Sequence, residues 1–254
     1  MKIGMSLLPE LETLEQHIEF AKENKVDFIE LNSHYLFSVP DRIDWKMLNA
    51  SGIDFTVHMP EDLNIAKMYE PRRKSNVDYA IHLMKAFNTN GNITKFNFHV
   101  EPGTISTTPR GKLFLSELYI NDYMKSFKKS LKELAEFATK NNVIICFENV
   151  AGTKPYLLDA FREVIKTPNI YLTLDIGHNA RDNNLIEPLM MQHPEKIKHL
   201  HMHDFDGKLD HQELGTGNID LKKYISFAKK NDLTVTIEVR GMKELQNSLQ
   251  KIYT

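Results

Sequence analysis

The chain is 254 residues long, with 32 basic and 34 acidic side chains and a formal net charge of -2 at pH 7, a balance that offers nucleic acid no electrostatic footprint. Hydrophobic residues make up 41%, ample for a sizeable core, and the one cysteine, Cys146, excludes an internal disulfide framework and fits a reducing compartment. No stretch approaches the roughly 20 apolar residues of a membrane span, and the opening MKIGMSLLPELETLEQ lacks the pattern of a secretory signal, so a soluble cytoplasmic protein that engages no membrane is expected.

From the amino end, short β-branched or apolar runs alternate with longer amphipathic stretches. The first run covers 2–8 and is followed by the helix-like LETLEQHIEFAKENK. Runs at 28–32, 55–58 and 96–100 come next, with a short helix around 45–50 between the second and the third. Residues 104–114 carry no clear pattern and are read as an active-site loop. Beyond them Leu118, Phe127, Leu131, Leu134 and Phe137 recur at about helical spacing, which predicts one apolar helix face. Runs at 143–149, 171–175, 199–203 and 235–239 complete the set, the last preceded by LKKYISFAKKND.

Strands alternating with helices argue for parallel βαβ units. Eight such units, at a length typical of about 250-residue barrels, with no Gly/Ser-rich linker, predict an α/β fold: a single (β/α)8 TIM barrel over residues 1–254. An open doubly wound sheet would carry a Gly-rich phosphate turn after its first strand, where Leu7, Leu8 and Pro9 stand instead.

In such a barrel the chemistry gathers at the carboxyl ends of the strands. The third run ends in VHMP (His58), the fourth in FHVEPG (His99), the fifth in CFENV (Glu148) and the sixth in LTLDIGH (Asp175, His178). The seventh carries HLHMHD (His199, His201, His203, Asp204) and the eighth TIEVR (Glu238, Arg240). Of eleven histidines, only His17, His34, His82 and His193 lie away from these ends and the loop after the seventh. Glu148 shares strand parity with Cys146, Asp175 with Thr173, and Glu238 with Thr236 and Arg240. If that parity faces the lumen, three carboxylates meet the histidines of the seventh strand, a costly gathering unless a cation offsets their repulsion. Taken singly, each histidine is more readily a hydrogen-bonded core residue; their clustering at successive strand ends is what points to a metal. Carboxylate oxygens with imidazole nitrogen suit Mn, Co, Zn or Mg. Cys146, one pleat deeper than Glu148, reads as barrel filling, and His17 and His82 as helix residues outside the site.

These motifs resemble the xylose isomerase-like barrel superfamily of small-sugar isomerases and epimerases, some dehydratases and the type IV apurinic endonucleases. The resemblance covers nearly the whole chain and rests on FIEL, ENV, D-x-G-H, HMHDFDG, DHQELGTGNID and IEVR. It implies that Glu148, Asp175, His201 and Glu238 hold a divalent ion, His201 being the first histidine of H-x-[HN]-D. It also implies that Glu148 and Glu238 form the acid/base pair of an isomerase or epimerase working through an enediolate, or of a dehydratase, on a small sugar, sugar phosphate or related polyhydroxy carbonyl compound. Additional metal- or substrate-binding candidates are His58, His99, His178, His203, His211 and Glu30, with Arg240 placed by parity to hold a substrate anion.

The other reading is a zinc phosphodiesterase acting at abasic DNA. His58 and His99, with Glu148, stand where the endonucleases bind a further zinc, and HMPEDLNIA is similar to their strand-three motif. Against it, Leu209 stands where that pattern needs an aspartate, Asp210 being one position off, and the early loops lack DNA-gripping basic and aromatic residues. The isomerase reading therefore leads, with no nucleic-acid partner. Apolar residues near 35–39 suit either a homodimer contact or a substrate lid.

Overall fold

The computed structural model describes residues 1–109 and 111–253. Its strands are β1 (Lys2–Ser6), β2 (Phe28–Asn32), β3 (Asp54–His58), β4 (Lys95–His99), β5 (Ile105–Thr108), β6 (Gly111–Phe114), β7 (Ile144–Glu148), β8 (Ile170–Asp175), β9 (Ile197–Met202) and β10 (Thr234–Ile237). All but β5 and β6 close into one parallel barrel in the order β1-β2-β3-β4-β7-β8-β9-β10, with β10 pairing back onto β1. The (β/α)8 expectation is met. The helices are α1 (Leu14–Glu23), α2 (Trp45–Ala50), α3 (Glu70–Gly91), α4 (Leu115–Leu118), α5 (Ile120–Asn141), α6 (Leu157–Lys166), α7 (Ile176–Arg181), α8 (Glu187–Met190), α9 (Leu221–Lys230) and α10 (Met242–Tyr253). None among the described residues is long and apolar enough to cross a membrane.

Local sequence explains the punctuation. Thr13 caps α1 in a capping box with Gln16, so two free backbone N–H groups find acceptors. The long helices α3 and α5 end at Asn92 and Asn142, both left-handed, a conformation asparagine tolerates better than most residues and one that turns the chain into the next strand.

The barrel's two faces follow the alternation in sequence. Outward, Phe96, Phe98, Ile145, Phe147, Leu172, Leu174, Leu200, Val235 and Ile237 are buried in one apolar cluster with helix residues such as Phe127, Leu131 and Phe161. Inward, the lumen is polar, and hydrogen bonds tie much of its floor together. Thr56 donates to Glu30 Oε2 at 2.8 Å, Thr173 to Asn97 Oδ1 at 2.6 Å, and Asn97 in turn donates to Glu148. Burial pushes the Cys146 thiol up to about 11, so it remains an inert filler at neutral pH.

Two expectations need correction. The stretch read as an active-site loop carries regular structure: β5 and β6 pair as an antiparallel hairpin, the threonines of ISTT facing GKLF, and Ile105 and Phe114 line the cavity at the barrel mouth. The stretch is too short and too polar to show a period, and β-branched Thr107 and Thr108 still favour the extended state. Leu118 does not continue the apolar face of α5; it ends the separate helix α4 and is 60% exposed. The helix breaks at Tyr119, whose backbone is not helical, so spacing counted across that point loses its meaning.

Candidate metal and catalytic site

At the carboxyl end of the barrel lies a cavity of about 880 Å³. Four strands aim side chains at its floor: Glu148 closes β7, Asp175 closes β8, His201 lies in β9, and Glu238 follows β10, still tied to the sheet by its N–H to Met202 O at 3.0 Å. His201 Nδ1 stands 3.1 Å from Glu148 Oε1, 3.2 Å from Glu238 Oε1 and 4.0 Å from Asp175 Oδ2. One atom from each of these four residues falls within 4.8 Å of the others. Glu148 Oε1 and His201 Nδ1 are buried yet lack hydrogen-bond partners. Orphaned buried acceptors are costly, and a divalent cation among these oxygens and this nitrogen would satisfy them. The donor set fits such an ion.

Electrostatics say the same. Burial favours neutral Glu148, but His201 with His58 and His99 holds its carboxyl well below the usual range. Burial likewise opposes charge on Asp175, and His178 and His203 hold it at about 2. His201 responds in reverse: burial opposes its charge, yet Glu148, Glu238 and Glu30 push it well above its ordinary value. Protonated imidazoles thus take the part a metal cation would take among these carboxylates.

Neighbouring residues fix these groups in place. Asn149, beside Glu148 in ENV, spans two strands by donating to Asp175 O at 2.9 Å and accepting from Asp175 N at 3.0 Å. His203 reaches both Asp175 oxygens with Nε2 at 3.1 and 3.2 Å, while its Nδ1 accepts from His211 N at 2.8 Å. The glycine of D-x-G-H makes room for this ring, because a Cβ on Gly177 would lie 2.0 Å from His203 Cε1. Asp204 anchors the following loop by accepting from Phe205 N, Gly215 N and Ile219 N.

The remaining candidates fall into place around this centre. His58 and His99 face each other with their Nε2 atoms 3.0 Å apart and 3.6 and 3.8 Å from Glu148 Oε2. Their Nδ1 atoms meet Met59 O at 2.8 Å and Glu101 Oε1 at 3.2 Å, so two Nε2 lone pairs point at one spot, a second candidate cation position. Burial opposes charge there, but Glu148 lifts His58 to about 9. His178, His203 and His211 form a further cluster, with the His203 and His211 rings stacked at 4.1 Å, although both His203 nitrogens are already engaged. Glu30 sits one layer deeper: Oε2 accepts from Thr56, His199 and Thr236, and Oε1 lies 2.9 Å beneath His201 Nε2.

Arg240 departs from its expected place. Its side chain is 65% exposed and pairs with Asp210 at 3.4 Å, outside the lumen. β10 ends at Ile237, and beyond the ladder the two-residue alternation no longer sets direction. Sequence reading missed Asn97, Asn149, Glu61, Glu101 and His34; Glu61 and Glu101 were visible in HMPE and HVEP, two or three residues past a strand-end histidine. Of the apolar residues near 35–39, Tyr35 lines the cavity, Phe37 packs on the core and Leu36 is exposed.

The profile described as xylose isomerase-like TIM barrel matches residues 18–252. The chain belongs to the xylose isomerase-like TIM-barrel family. The protein MJ1614 of Methanocaldococcus jannaschii is 25% identical over 248 residues, covering 95% of this chain and 93% of that protein. The crystal structure of 3-keto-D-glucoside 4-epimerase, YcjR, from E. coli superposes with a TM-score of 0.79 at 16% identity, over 100% of this chain and 99% of that one. The structure of IolI with a bound zinc atom gives 0.76 at 20% identity, over 100% and 96%. At 16% and 20% identity these two structures share the fold with this chain.

Proposed function

We propose that this xylose isomerase-like barrel is a divalent-metal-dependent isomerase or epimerase, or a related dehydratase, acting on a small polyhydroxy carbonyl compound. The observation that carries the reading is the convergence of Glu148 and Glu238, from opposite ends of the β7-β8-β9-β10 arc, on one imidazole at 3.1 and 3.2 Å. Glu148, Asp175, His201 and Glu238 would hold the ion. A divalent cation there supplies Lewis acidity, polarising a carbonyl and its neighbouring hydroxyl. Two carboxylates flanking the substrate can then divide the proton traffic, one taking the proton from the carbon α to the carbonyl and the other returning it, or protonating a departing hydroxyl. Asn97 steadies Glu148 in this role, and His203 and Asn149 steady Asp175. That one fold neighbour is a 3-keto-glucoside epimerase and another carries zinc supports the reading.

Incubation with candidate ketoses in deuterated water, followed by NMR, tests it. Metal-dependent exchange at a carbon next to the carbonyl is expected; its absence across a broad sugar panel counts against the proposal. The His58–His99–Glu148 cluster is the one observation that favours abasic-site phosphodiester chemistry. Leu209 disfavours it, since this exposed side chain stands where that reading needs a carboxylate. Metal-dependent nicking of abasic duplex DNA, without ketose exchange, would reverse the preference.

Gly177→Ala probes the support of the centre. A Cβ would displace His203 from Asp175, and loss of such an orienting partner costs roughly 10–100-fold in metal affinity. Titration calorimetry with Mn or Zn on the folded variant checks this; unchanged affinity would mean that His203 does not position Asp175.

A further inference from the structure

The charge of the cavity narrows the substrate class, granted the isomerase reading above. Among the described residues that line it, five are glutamates (Glu30, Glu61, Glu101, Glu148 and Glu238) and none is lysine or arginine. A divalent ion held by Glu148, Asp175 and Glu238 would leave those three carboxylates with one uncompensated negative charge. Glu61 and Glu101 add two more at the wall. A phosphate monoester carries about two negative charges at neutral pH and would meet no lysine or arginine among the described lining residues.

Among the described residues, two arginines stand close along the chain to lining residues: Arg181, three after His178, and Arg240, two after Glu238. Neither reaches inward. Both pair with one mostly buried carboxylate, Asp210, Arg181 through Nη1 to Oδ2 and Arg240 through Nη2 to Oδ1. Asp210 lies next to His211, itself a lining residue, so a single aspartate at the rim holds both of these guanidinium groups.

We propose that the site takes an uncharged polyhydroxy carbonyl compound and discriminates against phosphorylated or carboxylated counterparts, and that Asp210 sets this preference by keeping Arg181 and Arg240 out of the cavity. The carboxylates of Glu61 and Glu101 accept hydrogen bonds from substrate hydroxyls at no electrostatic cost, whereas an added anion faces them directly. The guanidinium fork, which matches phosphate or carboxylate well, is engaged elsewhere.

The test measures deuterium exchange and kcat/KM for a panel of free ketoses and for their monophosphates, with metal-loaded wild-type protein and with Asp210→Asn and Asp210→Ala. Wild type is expected to favour the free sugar by about 30-fold or more, the scale of two like charges several ångströms apart at a protein surface. The two variants are expected to raise the phosphate-to-free-sugar ratio, mainly through KM for the phosphate. General damage to the site would lower both activities and leave the ratio fixed. Equal or preferred turnover of phosphates by wild type overturns the proposal. An unmoved ratio in both variants overturns the part given to Asp210. Exchange with neither class sinks the isomerase reading itself, which is a distinct outcome.

Discussion

Glu238→Gln is expected to remove nearly all ketose proton exchange while leaving the barrel folded. The glutamine keeps the volume and one oxygen of the side chain but cannot take up a proton. Loss of a positioned general acid or base costs roughly 10²–10⁴-fold in rate. Glu238 is the more accessible member of the pair, and its side-chain partners are His201 at 3.2 Å and His211 at 3.9 Å, fewer than those of Glu148, so its loss should fall on turnover and little on stability. Glu148→Gln is expected to fall in the same range but to cost stability too, because Glu148 is buried, accepts from Asn97 and stands beside His58, His99 and His201. Solvent-exchange NMR with thermal melts separates the two. Glu238→Gln exchange within threefold of wild type would show that this carboxylate moves no proton.

The second large effect concerns His201. Replacing it by alanine deletes the only nitrogen among the four converging residues and leaves Glu30, Glu148, Asp175 and Glu238 gathered with less compensating charge. Metal affinity is expected to fall by more than the roughly 10–100-fold seen for loss of an orienting partner. A ligand present at about 100 times its dissociation constant stabilises a fold by about 2.7 kcal/mol, so wild-type protein should melt at a clearly higher temperature with saturating Mn or Zn. His201→Ala should show little or none of that shift. An equal shift in both proteins would place the ion elsewhere.

Much of this architecture was legible in the sequence because a strand announces itself twice, by β-branched composition and by alternation. The parity argument put Glu148, Asp175, Thr173 and Thr236 on one face, and the barrel turns that face inward. The same rule failed for Arg240 as soon as the chain left the ladder at Ile237, and the helical period failed for Leu118 across the break at Tyr119. The β5–β6 hairpin was hidden because four-residue strands with polar side chains carry almost no periodic signal. Asn97 and Asn149 act through hydrogen bonds to residues 26 to 76 positions away, and such long-range partners leave no local trace.

The inner wall shows what the family fold asks of this chain. A barrel packed only with aliphatic layers could not hold a carboxylate-rich rim, because each buried acid needs partners. Here Thr56, Thr236 and His199 all bond Glu30 Oε2, and Asn97 bridges Thr173 to Glu148. Burial drives His199 down to about 4, keeping it neutral as a partner for Glu30. The polar floor thus carries the ionised groups above it.

Anomalous diffraction from crystals grown with Mn or Zn tests the central claim most directly. A strong peak within coordination distance of Glu148, Asp175, His201 and Glu238 together is the predicted result. No peak there at saturating metal, or a peak held only by other residues, would contradict it.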